Sequence, residues 1–106
     1  MSLDLYTYGM DIDPITLPSF DASWNLHTLG VKLFDTNGHT QRIQAAITRK
    51  ISMLLGDKHA VRVAIQCKHG LHRSVEMATS IGTQFAAAGM IVNYHHLAVP
   101  SENTST

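Results

Sequence analysis

The segment from Val61 to His96 constrains the fold more than any other part of the chain. "VRVAIQ" sets Val61, Val63 and Ile65 against Arg62, Ala64 and Gln66, the two-residue period of a strand. From about Arg73 to Ala88, Val75, Ala78, Ile81 and Phe85 recur at steps of three and four, and Gly89 closes the run as a helix end. "MIVNYHH" then reads as a further strand. Two strands joined by a helix of that length do not form a hairpin. They form a parallel βαβ unit with a right-handed crossover, and a parallel sheet needs a covering helical layer. The class is therefore α/β.

The remaining segments fit the same layered design. Ile43, Ala46, Ile47, Ile51, Leu54 and Leu55 give one apolar stripe and predict a helix from about His39 to Leu55. Asp35, Thr36 and Asn37 offer capping side chains before it, and Gly56 is expected to end it. This helix can cover the other face of the sheet or another part of the same face. Upstream, "LDLYTYG" reads as a first strand ended by Gly9, "MDIDPITLPS" as a loop, and "FDAS" as a short second strand. Trp24 to Gly38 has no clean period and reads as an irregular excursion, with Trp24 a packing residue. At 106 residues the chain has room for one core. The expectation is a single layered α/β domain over residues 1–100, with a small, mostly parallel sheet, about two helices, and 101–106 as a flexible polar tail.

Charge and cysteine content narrow the function classes. Eight basic residues balance eight acidic ones, so no global attraction toward nucleic acid follows. A single cysteine excludes an internal disulfide and cysteine-rich zinc sites, and it fits a reducing cytoplasm. No basic segment precedes an apolar core at the start, and no apolar run approaches the roughly 20 residues of a membrane span. His69 and His72 share a loop, but His95 and His96 point to opposite faces of a strand, and no carboxylate or cysteine spacing supports a metal. The expectation is a cytoplasmic protein with neither a resident cofactor nor a membrane partner.

The chemistry concentrates in "CKHGLHRS". In parallel sheets ligands bind outside the carboxyl ends of the strands, where Cys67 stands. The loop enters a helix at Arg73, whose first N–H groups lack intrahelical acceptors and favour an anion. Gly70 lets the loop turn tightly or lets its backbone approach the anion. Arg73 can fork two N–H bonds to two oxygens, and Ser74 can bond the anion, the thiolate or the helix start. Lys68 adds a cation at the rim, His69 and His72 add side chains that become cations below neutrality, and the backbone of Leu71 completes the loop. A cysteine after a buried strand is ordinarily a small core residue, and Gly with Arg-Ser can be turn and cap chemistry. Their combination at a strand–loop–helix junction points to an anion site over Cys67 to Ser74.

Two families share this pattern. The stretch resembles the phosphate loop of cysteine-dependent protein phosphatases, Cys-x-x-Gly-x-x-Arg-Ser, although Gln66 stands where those enzymes usually carry His. That resemblance implies Cys67 as nucleophile and Arg73 as phosphate clamp. It also calls for several helices after the loop and a general acid, for which Asp21 or Asp35 is offered without a motif. "IQCKHGLHRSVEMA" is also similar to the C-terminal domain of the RapZ family, where a strand ends in Gly-Cys-Thr-Gly-Gly-x-His-Arg-Ser-Val. His72, Arg73, Ser74 and Val75 match that run, and Cys67 and Gly70 keep their spacing, while Gln66, Lys68 and His69 depart. "NYHHL" stands where the family closes with a His- and Arg-rich strand. "TYGM", Asp21 and His27 stand for its opening Tyr-Gly, Asp and His. The family's domain stops soon after its last strand, which favours this second resemblance.

The RapZ resemblance implies a binding module without catalysis. No Gly-x-x-x-x-Gly-Lys-Ser/Thr is present, so the family's P-loop NTPase half is expected to be absent. By resemblance the domain takes an amino-sugar phosphate such as glucosamine-6-phosphate, engages a small regulatory RNA and self-associates. Phosphate, sulfate or a sugar phosphate would sit on the Cys67–Arg73 loop, with Arg73 and Ser74 on its oxygens and Asp21 and His27 on the sugar side. An RNA or protein surface would draw on Lys68, His69, His72, Arg73, His95 and His96, converging if the last strand lies beside the loop-bearing strand. RNA is the weaker inheritance, because the family's arginines read Tyr94, His95 and Leu97 here and the tail has no basic residue. Three classes follow: an anion or sugar-phosphate sensor, a small cysteine phosphatase, and a phage or bacterial interaction protein with an idle loop.

Overall fold

A computed structural model of the chain describes residues 1–31 and 38–98. Its elements are β1 (Ser2–Tyr8), β2 (Ala22–Asn25), α1 (His39–Asp57), β3 (Ala60–Gln66), α2 (Arg73–Ala87) and β4 (Ile91–His96), with one 3-10 turn at Pro14–Thr16. The four strands form one sheet in the order β2-β3-β1-β4, and every neighbouring pair is parallel. The α/β class, the single layered domain and the two helices are as expected, and the sheet is wholly parallel.

The alternation along β1 and β3 decides which face the helices cover. Leu3, Leu5 and Thr7 are fully buried and stand in register with Val61, Val63 and Ile65. Both helices pack on this face. Ile47, Ile51 and Leu55 of α1 share one core with Met77, Ala78, Ile81 and Phe85 of α2. The connections β2–α1–β3 and β3–α2–β4 move the same way across the sheet, so right-handed crossovers put both helices on one side. The β1–β2 connection moves the other way and covers the opposite face. There Phe20 packs edge-on against Tyr6 at 5.2 Å and lies 6.3 Å from Tyr8.

Several boundaries differ from expectation for physical reasons. β2 begins two residues after "FDAS" does and takes in Trp24, which packs against the core. Its register is set by Asp21, whose N–H donates to Arg62 O at 2.8 Å while its carboxylate accepts from Arg62 N at 2.8 Å. α1 runs through Gly56 to Asp57, because the chain leaves it extended at Lys58, where no left-handed residue is required. Ala46 is exposed, so the buried stripe is narrower than the apolar pattern. The capping candidates Asp35, Thr36 and Asn37 lie outside the described residues, as does 101–106; Gly38 stands at the helix start with φ 79 and no side-chain cap. α2 closes in a Schellman motif: Gly89 N–H bonds Ala86 O at 3.0 Å and Met90 N–H bonds Phe85 O at 3.1 Å. Its buried face is Ser74, Met77, Ala78, Ile81, Gly82 and Phe85, with Val75 only half-buried. The helix is rotated so that Ser74 reaches Cys67 and Gly82 accepts the Tyr94 ring. Among the described residues, no helix is long and apolar enough to cross a membrane.

Candidate functional site

The loop Cys67–His72 lies at the carboxyl end of the sheet, where all four strands exit. Leu26 N–H bonds Gln66 O at 2.6 Å at the exit of β2, and Leu97 N–H bonds Thr7 O at 2.9 Å at the exit of β4. The β1–β3 pairing continues past both strands: Cys67 N–H bonds Tyr8 O at 3.2 Å and Met10 N–H bonds Lys68 O at 3.1 Å. Gly70, with φ 73, then turns the chain back. Its Cα faces Tyr8 and Gly9, so its close approach is to β1.

The sulfur of Cys67 occupies the inside of this turn. The residue is 2% exposed, and Sγ lies 3.1 Å from Gly70 N and 3.3 Å from Ser74 Oγ. Burial pushes the thiol up. The Ser74 hydroxyl and the backbone N–H groups of Ser74, Gly70 and His69 more than offset that and bring it below its ordinary value of 9.0. Ser74 is fully buried and joins the loop to the first turn of α2.

Arg73 is half-buried and its Nη1 donates to Val31 O at 2.9 Å. This anchors the guanidinium at the head of a groove of about 770 Å³ between the helices, lined in part by Gln44, Met77 and Thr83. Lys68, His69, Leu71 and His72 are exposed around the turn, with His72 at the start of α2. His27 is exposed in the turn after β2, at the same end of the sheet, with its N–H on Asn25 Oδ1 at 3.0 Å.

Three other candidates stand apart from the loop. Asp21 lies at the amino end of β2, beside Arg62 rather than Cys67, and its carboxylate pairs with Lys58. The Lys58 hydrogen bond and the Arg62 N–H hold that carboxyl below its ordinary value. The last strand is beside β1, not beside the loop-bearing β3, so the expected route of convergence for His95 and His96 is closed. His95 Nε2 is 3.0 Å from Asp4 Oδ1 and its ring stacks on Tyr6 at 4.2 Å, on the face away from the helices. His96 Nδ1 is 2.7 Å from Thr7 Oγ1 on the helix side. Burial, with a smaller contribution from the charge of His95, lowers its pKa. The exit of β4 does reach the loop: a Cβ at Gly70 would come within 2.9 Å of Ala98 Cβ. Val31 and Ala98 carried no signal in the sequence, since one contributes a backbone oxygen and the other a methyl group.

A family model described as the RapZ C-terminal domain matches residues 31–100. The chain belongs to that family. Of the two resemblances, the RapZ one is thus the one shown, and the match includes α1, β3, the loop, α2 and β4. Asp21 and His27 precede the matched stretch. None of the curated proteins matches the chain.

Proposed function

We propose that this RapZ C-terminal domain is a binding module that takes an oxyanion, with a sugar phosphate as the preferred class, on the loop Cys67–Ser74. The observation that carries the reading is the Cys67 sulfur itself. It is buried, which disfavours its charge, yet the hydrogen bonds of the loop lower its pKa. Gly70 N–H at 3.1 Å and Ser74 Oγ at 3.3 Å from Sγ gather polar groups of the loop around one point, the kind of arrangement an oxyanion site uses. Arg73 and Lys68 supply cations around the turn and His69 and His72 supply ring N–H donors, with His27 at the same end of the sheet. An RNA or protein partner is a second element of the proposal, supported by the family and by the exposed rim; self-association is proposed on the same ground. The test is titration of the protein with inorganic phosphate and then sugar phosphates, followed on the loop amides by NMR. Saturable shifts at residues 67–74 that are lost in Arg73→Ala support the reading, and flat titrations end it.

The depressed thiol also favours a second reading, a cysteine phosphatase with Cys67 attacking phosphorus. Against it, Cys67 is 2% exposed, so its sulfur is not presented to a substrate as attack requires. Hydrolysis of an aryl phosphate that disappears in Cys67→Ser would establish that chemistry.

A further inference from the structure

The exits of β1 and β3 meet backbone to backbone through two facing glycines. A Cβ built on Gly70 would lie 2.4 Å from Gly9 N and 2.4 Å from Tyr8 C. A Cβ built on Gly9 would lie 2.7 Å from His69 C and 2.8 Å from His69 O. In both directions the two nearest atoms are backbone, which cannot swing aside as the end of a side chain can; Asp11 Oδ1 at 3.0 Å from the Gly9 position and Ala98 Cβ at 2.9 Å from the Gly70 position come next. The two glycines are required for different reasons. Gly70 has φ 73, so its conformation alone favours glycine. Gly9 is not among the positive-φ glycines, so close neighbours rather than its own conformation exclude a side chain there, the His69–Gly70 peptide, through its carbonyl, nearest of all.

That peptide is the one that matters to the loop. Its carbonyl is His69 C=O and its amide is Gly70 N–H, the group 3.1 Å from Cys67 Sγ. A peptide unit is planar and moves as one body, so displacing the carbonyl re-aims the N–H. Met10 N–H on Lys68 O and Cys67 N–H on Tyr8 O hold the two segments together on either side of Gly9.

We infer that Gly9 is a positioning residue of the loop: its missing side chain lets the His69–Gly70 peptide lie on the exit of β1 and keeps the Gly70 N–H aimed into the turn. The inference rests on the reading of the loop as an oxyanion site. It extends that site to a residue outside the matched family stretch and outside the loop itself.

The experiment compares wild type, Gly9→Ala and Gly89→Ala. Gly89 has φ 91 with nothing near its missing Cβ, so its alanine variant suffers backbone strain far from the loop and serves as the control. Two readouts are taken beside the thermal midpoint: affinity for inorganic phosphate by NMR titration, and the pH titration of the Cys67 thiolate by ultraviolet absorbance. Gly9→Ala is expected to move the thiol titration upward, as the Gly70 N–H loses its aim at Sγ, and to weaken phosphate about tenfold as the turn carrying the loop amides is displaced. Gly89→Ala is expected to lower the midpoint and leave both readouts unchanged. A Gly9→Ala protein with unchanged thiol titration and phosphate affinity overturns the inference. If wild type shows no phosphate response, the oxyanion reading falls and the thiol titration alone decides the role of Gly9. If Gly9→Ala does not fold, through-space NMR contacts between Gly9 and the His69–Gly70 peptide in wild type decide: present, they support the placement; absent, they overturn it.

Discussion

Cys67 Sγ lies 3.1 Å from Gly70 N, so the loop donates to a group of its own chain. Ser74 Oγ stands 3.3 Å away on the other side. The sulfur thus reports on the potential inside the turn, and its titration can be read as stability.

The thiol has a lower pKa folded than its ordinary 9.0. For an acid with that sign, the stabilisation is fully present above the unfolded value and is lost as pH falls through the folded one. Wild type is expected to gain stability over Cys67→Ala as pH rises from neutral toward 9.0. Urea midpoints of the two proteins across that range measure it; a constant difference contradicts the hydrogen-bond account.

Arg73 and Asp21 separate the loop from the far end of the sheet. Arg73→Ala removes a cation beside the turn and is expected to weaken phosphate at least about tenfold. Asp21→Ala removes the Lys58 pair and the bond from Arg62 N–H, and is expected to cost about 1 kcal/mol of stability with phosphate affinity unchanged. Calorimetric titration and chemical denaturation of both variants check the pair. Loss of affinity in Asp21→Ala would return it to the sugar side of the site.

His96 has its pKa lowered, first by burial and then by His95, from an ordinary value of 6.5. Its neutral form is the one the fold accepts. The associated stability is present above 6.5 and is lost as pH falls through the depressed value. His96→Gln, which keeps a polar partner for Thr7 Oγ1, is expected to flatten this acid-side loss. Melting curves from neutral pH downward are the measurement, and parallel curves for both proteins would remove His96 from the account.

Gly82 lies under the Tyr94 ring, where a Cβ would come 2.2 Å from the hydroxyl oxygen. Alanine there gains helix propensity of about 1 kcal/mol, and the displaced Tyr94 loses packing of similar size. Gly82→Ala is expected to change stability by less than about 1 kcal/mol while Tyr94 swings outward. A Tyr94 ring with unchanged chemical shifts in Gly82→Ala would show that the helix shifts instead.

The crossover from β3 through α2 to β4 was legible because strand and helix periods are strong there and handedness follows from chirality. The loop was legible for the same reason: its residues sit where two clear periods meet. The place of β1 was not. Whether it joins the middle or the edge of the sheet depends on pairing with residues distant in the chain, and "LDLYTYG" contains nothing local that decides it. That one unknown closed the expected route by which His95 and His96 would reach the loop. Asp21 reads as a ligand candidate by resemblance alone, and its actual partner, Lys58, is too remote in sequence to be seen there. The orientation of Arg73 was hidden because its acceptor is the carbonyl of Val31, and backbone acceptors leave no mark in residue identity. Val75 was assigned to the buried face of α2 on hydrophobicity, whereas a buried Ser74 with a sulfur partner turned the helix.

The strand made first is the one between the two made last. Ser2–Tyr8 pairs with Ala60–Gln66 and Ile91–His96, each contact spanning more than half the chain. As the chain is synthesised, β1 must wait without a partner until the loop-bearing strand emerges, so folding falls in the slow, non-local regime. The matched stretch 31–100 made alone would hold β3 and β4 with an open slot between them and four exposed ladder edges. The same slot can be filled from outside: a peptide of Ser2–Tyr8 extended through Gly9 would supply β1 and the floor of the loop together, while the β2 side of β3 would stay open, since Ala22–Asn25 also lies outside that stretch.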